Sequence, residues 1–502
     1  MTKRLSEEVT GDAMPDKLDQ IKSQFDVSDL RPGQERALCA AVEGRNVFGV
    51  MPTGGGKSLC YQGPAALDYR EKGATLVVTP LIALMRDQVK SMMALGIPAI
   101  EFHSQVSQTT RGLALHGMRE HEQALVYTSP EQLARGLLLD GTEGVDFARL
   151  VVDEAHCISM WGRDFRPDYL RIKEFADRRG IDQIMAFTAT AAADVRKDIV
   201  SSLGLGDHEF VEISPFRENL SYSVEKISGF NGKMLRLARI VPRVQGGPVL
   251  VYCAKRRNCE KAQESFAKTM PWKKSEFYHA GLNGGERQDI EERFLSDEID
   301  VLFTTNAFGM GVDKPNIRAV VHFDVPGNVG NYVQETGRAG RDGEAASCVL
   351  LYDEKDLKTQ RNFNERKLLS GGFVWAVYER LKEIAAREQD GWQEFIMEYL
   401  CYGAMGNVPV WMKGNGGQRS QRGSVNSALH LLVGMGAIEL YGDKVRFLDD
   451  LSEKGVVEGV VANIADIRGG VSETLLGRMV EYAETRGGGQ EKLIELLEMV
   501  AA

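Results

Sequence analysis

The sequence has no apolar run of the roughly 18–20 residues that a membrane-spanning helix needs. Its start, MTKRLSEEVTGDAMPDKLDQ, has no apolar core of signal-peptide length. A cytoplasmic chain with no membrane partner is therefore expected. Cysteine is sparse: Cys39, Cys60, Cys157, Cys253, Cys259, Cys348 and Cys401 are scattered through 502 residues. Such spacing offers no disulfide framework, and no grouped Cys/His spacing supports a structural zinc. Net positive charge is also missing, since 61 Lys and Arg stand against 71 Asp and Glu, a balance of −10. That argues against tight, salt-resistant binding of nucleic acid but leaves a local basic patch open. Glycine, by contrast, is plentiful at 53 residues, with no collagen period.

What is present is an alternation. Residues 1–20 are polar and read as a flexible N-terminus. Residues 21–48 read as a helix, a turn at Arg31-Pro32-Gly33-Gln34, a second helix and a short strand. The apolar runs VFGV (47–50), TLVVT (75–79), ALVYT (124–128), LVVDE (150–154) and QIMAFT (183–188) then alternate with helical stretches. This is the pattern of a parallel sheet covered by helices. A second series, PVLVYC (248–253), EFYHA (276–280), DVLFTT (300–305), AVVHF (319–323) and SCVLLY (347–352), predicts a second α/β domain. The two domains are expected over 21–215 and 216–353, with a linker at about 213–224. Past 353 the alternation stops. Residues 354–403 read as helical with a break at Gly371-Gly372, and 408–423 as a loop. A helix over 424–436 and two short strands over 438–448 predict a winged-helix module within 404–450, followed by a helical tail, 451–502, interrupted by glycines. Over 403–447, Lys413, Arg419, Arg422, Lys444 and Arg446 outnumber Glu439 and Asp443, which suits contact with a duplex or an ordinary solvated loop.

The chemistry lies in three places. Met51-Pro52-Thr53-Gly54-Gly55-Gly56-Lys57-Ser58 follows an apolar strand and precedes a helix. Its glycines let backbone N–H groups wrap phosphates at a helix N-terminus, Lys57 can reach the β and γ phosphates, and Ser58 can ligate Mg²⁺. Met51 stands where the generic phosphate-loop pattern has its first glycine. In LVVDEAHC (150–157) a strand delivers Asp153 and Glu154 together. Asp153 is placed to hold Mg²⁺, and Glu154 to orient the attacking water as a base. In the second domain, Gln334-Glu335-Thr336-Gly337-Arg338-Ala339-Gly340-Arg341-Asp342 offers Arg338 or Arg341 to the charge that develops on the γ phosphate. Each motif alone has a bland reading, as a Gly-rich turn, solvated acids at a strand end or a basic turn. Together they describe a two-domain ATPase using ATP and Mg²⁺. Thr188-Ala189-Thr190 ends a strand and reads as a helix cap or a link from the ATP site to a strand-binding surface. The segment Trp161 to Tyr169, with Arg163, Phe165 and Arg166, directly follows the acids and mixes rings that can stack on bases with arginines that can meet phosphates. A buried aromatic cluster is its plainer reading. His156 neighbours the acids, and His279 reads as a packing or hydrogen-bonding residue.

These residues strongly resemble the RecQ family of superfamily 2 DNA helicases over about 25–356. The resemblance is carried by LRPGQ (30–34), MPTGGGKSLCYQ (51–62), TPLIALMRDQ (79–88), DEAHCISMWGRDFRP (153–167), FTATA (187–191), YHAGL (278–282), AFGMGVDKPNIR (307–318) and QETGRAGRDG (334–343). It implies two tandem RecA-like domains and 3′→5′ movement on single-stranded DNA. It also implies unwinding of 3′-tailed or forked duplexes, in repair or recombination. By the same resemblance Arg31 and Gln34 contact adenine, Arg341 is the arginine finger, and Arg338 supports the γ phosphate or the interdomain contact. Trp161, Phe165 and Arg166 then belong to the loop that couples DNA to hydrolysis. The chain departs from the family at Val27, Met160 and Arg163, where an aromatic, a Gln and a His are usual. It cannot form the usual four-cysteine zinc module, because Cys401 is the single cysteine beyond 348. A DNA-stimulated translocase that does not separate strands and an RNA helicase are the competing expectations.

Overall fold

A computed structural model of the chain describes residues 13–52, 54–80, 82–103, 106–134, 142–159, 167–191, 193–308, 314–367, 369–385, 393–394, 400, 417–441, 444–448, 453–485 and 489–498. Its first sheet comprises β1 (Asn46–Val50), β2 (Ala74–Val78), β3 (Ala99–Phe102), β4 (Leu125–Thr128), β5 (Phe147–Val152), β6 (Ile184–Thr188) and β7 (His208–Glu212). Their order across the sheet is β3-β4-β2-β5-β6-β1-β7, and every pairing is parallel. Helical crossovers cover both faces. Phe48, Leu76, Leu150 and Ala186 enter one core, and their chain neighbours Val47, Val77, Val151 and Met185 enter the other. Side chains alternate across a strand, so a strand covered on both faces must be apolar at every position. That is why the central strands read as unbroken apolar runs.

The second sheet comprises β8 (Leu220–Lys226), β9 (Val249–Tyr252), β10 (Ser275–Tyr278), β11 (Val301–Thr304), β12 (Ala319–His322) and β13 (Ala346–Tyr352). They lie in the order β10-β11-β9-β12-β13-β8, again all parallel. The expected linker at 213–224 is shorter than predicted, because β8 begins at Leu220 and pairs with β13 along its whole length. β3, β7 and β8 are the strands of these two sheets that periodicity missed. Each is an edge strand with mixed burial, where water on one flank relaxes the demand for apolar residues.

The N-terminal boundary also moves. The helix Ala13–Gln24 begins inside the stretch read as flexible, and Leu18 and Ile21 bury against Leu38 and Leu59. That small core braces the helix Lys57–Lys72, which opens at the phosphate loop.

Beyond the second sheet come the helices Leu357–Lys367, Gly371–Ala385 and Gly417–Gly434, the strands β14 (Gln393–Glu394), β15 (Ile438–Tyr441) and β16 (Lys444–Phe447), and the helices Lys454–Glu484 and Gln490–Glu498. The strands form an antiparallel sheet ordered β14-β16-β15. Residues 417–423, read as loop, are helical. Glycines 455, 459, 469, 470 and 477 do not interrupt the tail helix, which runs unbroken for 31 residues. Arg446 pairs with Glu439 across the hairpin, so one of the five basic residues is engaged locally. Arg171 of the first domain donates to the Leu440 carbonyl, joining that hairpin to the motor. Among the described residues six cysteines are free thiols, and no helix is long and apolar enough to cross a membrane.

Candidate functional site in the interdomain cleft

β1 ends at Val50, and Met51 N–H still bonds Thr188 O at 2.9 Å, so the phosphate loop leaves the sheet beside the end of β6. Gly54 and Gly56 take left-handed conformations, with φ of +80° and +78°. A side chain is strained there, and Gly56 caps the helix whose first residues are Lys57 and Ser58. Gly55 N–H bonds Pro52 O at 2.9 Å, tightening the turn. The Lys57 ammonium donates to Met51 O at 3.1 Å, and Ser58 neighbours the buried Tyr61 hydroxyl. The loop is held from outside. Arg31 donates to Gly54 O, and Gln34 Nε2 donates to Gly56 O at 2.9 Å while its Oε1 accepts from Arg31 N–H at 2.7 Å. Arg31 and Gln34 thus brace the loop's carbonyls. Val27 packs into the small core under the N-terminal helix. Thr53 lies outside the described residues.

The acids sit on the next layer. Asp153 leaves β5 buried, and burial pushes its carboxyl up to about 6. The Glu154 charge adds to that shift, while the Lys57 ammonium and the Glu154 N–H oppose it. That N–H donates to Asp153 Oδ1 at 2.9 Å. Glu154 itself holds φ at +50°, an uncommon conformation for a side chain this long. Its Oε2 lies 3.3 Å from His156 Nδ1. The same His156 nitrogen is 3.0 Å from Thr188 Oγ1, which donates to Thr190 O at 3.1 Å. A polar line therefore runs from Glu154 through His156 and Thr188 to Thr190. Tyr169 OH donates to Asp153 O at 3.1 Å and fixes the turn from behind. Trp161, Arg163, Phe165 and Arg166 lie outside the described residues, as does Met160.

The second domain closes the site. Arg341 side-chain atoms come within 3.5 Å of where a Gly54 Cβ would stand, so the arginine lies in van der Waals reach of the phosphate loop. Thr190 Oγ1 is 3.9 Å from the corresponding point on Gly330, a second meeting of the two domains. Gln334 is half-buried on the helix Val329–Thr336, and Arg338 follows that helix, buried, with its guanidinium beside Tyr252. His279 bonds Glu260 at 2.8 Å and accepts from Gly281 N–H at 3.2 Å.

Two residues of this cleft escaped sequence reasoning. Arg217 donates to the carbonyls of Gly337, Ala339 and Gly340 at 2.7, 2.8 and 3.0 Å. Asn219 Nδ2 donates to Gly340 O at 2.8 Å and Glu344 O at 2.7 Å. Burial holds the Arg217 guanidinium below its usual range, and the nearby Arg31 charge acts in the same direction. The linker thus shapes the turn that carries both cleft arginines. An Arg-x-Asn in a short connector ahead of a strand was the available signal.

These parts fit a magnesium nucleotide. The loop offers amides at a helix N-terminus with left-handed glycines. The buried Asp153 and the close, half-buried Glu154 favour a divalent cation, which offsets the burial and the repulsion that raise Asp153. Fold and site together define a two-domain helicase core. The DEAD/DEAH box helicase pattern matches residues 31–199, and the helicase conserved C-terminal domain matches 232–343. The chain belongs to the RecQ family. It is 35% identical to "Probable ATP-dependent DNA helicase RecS" of Bacillus subtilis (strain 168), over 76% of each chain. It is 40% identical to "ATP-dependent DNA helicase RecQ" of the same organism, over 67% of this chain and 56% of that one. Against "ATP-dependent helicase SGS1" of Saccharomyces cerevisiae the identity is 37%, over 72% of this chain and 25% of the yeast protein. This chain therefore spans a quarter of SGS1 and just over half of RecQ. Among solved structures, the DUF1998 helicase MrfA bound to DNA aligns with a TM-score of 0.57 at 18% identity, over 91% of this chain and 61% of that one. Mss116p bound to ssRNA and AMP-PNP gives 0.57 at 18% identity, over 72% and 78%. At such identity both speak to the fold alone.

Proposed function

We propose that the chain is an ATP-dependent DNA helicase that moves 3′→5′ along single-stranded DNA and separates duplexes ahead of it. The meeting of Arg341 with the phosphate loop across the interdomain cleft carries this reading, because it makes nucleotide occupancy and domain closure one event. Membership of the RecQ family, whose relatives named above are described as DNA helicases, supports DNA as the track. Ser58 Oγ and the Asp153 carboxylate would hold Mg²⁺. When bound, magnesium ATP supplies the γ phosphoryl group and spreads the charge of its transfer. Lys57 exchanges its Met51 carbonyl for phosphate oxygens. Glu154 orients water and takes its proton on a carboxylate oxygen. Arg338 and Arg341 neutralise charge arriving from the second domain. The line Glu154–His156–Thr188–Thr190 gives the hydrolytic base a route to the neighbourhood of Gly330 in the opposite domain, so that hydrolysis and domain opening are linked. The helix Gly417–Gly434 and the hairpin β15–β16 are assigned as a winged-helix contact to duplex.

Unwinding of 3′-tailed, 5′-tailed and forked duplexes with ATP and Mg²⁺ tests this. The 3′-tailed and forked substrates should be opened and the 5′-tailed one left intact. ATPase without unwinding of any substrate would sink the helicase reading in favour of a translocase. Stronger stimulation by single-stranded RNA than by DNA at equal salt would overturn the choice of track.

A further inference from the structure

The helix Lys454–Glu484 belongs to two cores. Near its start, Val457 and Val461 pack with the C-terminal module. Near its end, Leu476, Met479 and Tyr482 pack with the second α/β domain, joined by Leu493 and Leu496 of the last helix. What they cover there is the helix Val329–Thr336, which leads directly into Arg338 and Arg341.

That helix is eight residues long, too short to hold its own geometry without packing. The contact centres on Tyr332 and Tyr482, both fully buried. Their ring centroids are 5.4 Å apart. On its other flank Tyr332 lies 4.7 Å from the His322 ring, which stacks on Tyr252 at 5.3 Å and 17°. The Arg338 guanidinium lies beside Tyr252. His322 Nε2 also meets Glu335 Oε2 at 2.7 Å, tying β12 to the same helix. Four rings thus run in contact from the tail to the arginine.

We propose that the end of the helix Lys454–Glu484 and the helix Gln490–Glu498 form a positioning element of the ATP site and that Tyr482 is its positioning residue. It holds the helix Val329–Thr336 at the depth from which Arg338 and Arg341 reach the cleft. Tyr482 touches neither nucleotide nor reacting atoms and acts through Tyr332. This rests on the reading of the two arginines as γ-phosphate ligands. Transition-state charge stabilisation depends steeply on such placement, and a shift of about 1 Å can cost roughly 100-fold in rate.

The test is steady-state ATPase of the full chain on a saturating single-stranded DNA oligonucleotide, with thermal melting alongside. Wild type, Tyr482→Phe, Tyr482→Ala, Tyr482→Leu and Arg341→Ala are compared. Tyr482→Ala should lower kcat about tenfold or more while KM for ATP stays within about twofold. Tyr482→Phe, which keeps the ring, should restore kcat to within about threefold. Should the alanine variant fail to fold, Tyr482→Leu, which keeps apolar volume without the flat ring, should show the same kcat loss. Wild-type kcat in folded Tyr482→Ala or Tyr482→Leu overturns the role. So does a parallel drift of kcat, KM and melting temperature, which marks a merely structural residue. Turnover lost in Arg341→Ala but kept in the Tyr482 variants overturns the positioning role alone, whereas turnover kept in Arg341→Ala removes the arginine reading and the proposal with it.

Discussion

At the scale of single residues, the site divides by how each side chain does its work. In the proposed mechanism Lys57, Asp153, Glu154 and Arg341 act on a ligand, and such chemistry demands a particular residue type at a particular spacing. That demand is what singled them out in the sequence. Lys57→Ala removes the cation at the phosphate loop, and ATP turnover should fall roughly 100-fold or more in a steady-state assay. Glu154→Gln keeps the shape and loses the base. Equilibrium binding should show ATP retained, while single-turnover hydrolysis slows roughly 100- to 10,000-fold. Arg217 acts on backbone carbonyls about 120 residues along the chain, and carbonyls leave no trace in a sequence. Its removal takes the side-chain donor from Gly337 O and Ala339 O, while Gly340 O keeps Asn219 Nδ2. Arg217→Ala should therefore depress kcat for ATP, and Arg217→Lys should recover only part of it. A single ammonium cannot match the planar fork that spans Gly337, Ala339 and Gly340. Equal kcat in Arg217→Ala and wild type would remove the linker from the mechanism.

At the scale of elements, apolar runs marked the central strands because both faces are covered, and they missed β3, β7 and β8 because an edge needs fewer apolar residues. Glycine misled in the tail. The tail's glycines read as interruptions, yet Gly469 and Gly470 lie inside the helix Lys454–Glu484, where an added Cβ would meet open space and no positive φ is required. They carry only the entropic cost of glycine in a helix. Replacing both by alanine should stabilise the helix by about 1–2 kcal/mol in total, visible as a raised denaturation midpoint. A lowered midpoint would mean that the pair serves as a bend. The helix Gly417–Gly434 was half-legible, because its apolar face begins at Val425 and the polar turns before it carry no period.

At the scale of the whole molecule, the charge balance of −10 sets the terms on which a polyanion can be held. Contacts to phosphate must be few and local. Because the salt slope scales with the number of phosphates neutralised, stimulation of ATPase by sub-saturating single-stranded DNA should fall only about 5- to 20-fold between about 50 and 200 mM salt, while basal turnover changes little. A flat salt response would point to binding dominated by stacking. Chelation of divalent cation should stop turnover, with Mg²⁺ restoring it, because the buried Asp153 carboxyl faces the Glu154 charge and a cation relieves that repulsion.

The shared helix also imposes an order on how the protein can be made. The apolar face of the second domain at Val325, Val329, Tyr332 and Leu350 is covered by Leu476, Met479, Tyr482, Leu493 and Leu496. Those covering residues emerge from the ribosome about 125–145 residues after β13, a delay of roughly 6–30 s at common rates of synthesis. During that interval the domain is threaded but unsealed, with a greasy patch that chaperones can bind. Folding of the motor therefore finishes at the far end of the chain, and a ribosome stalled near residue 470 would leave an engine assembled in every strand yet prone to aggregate.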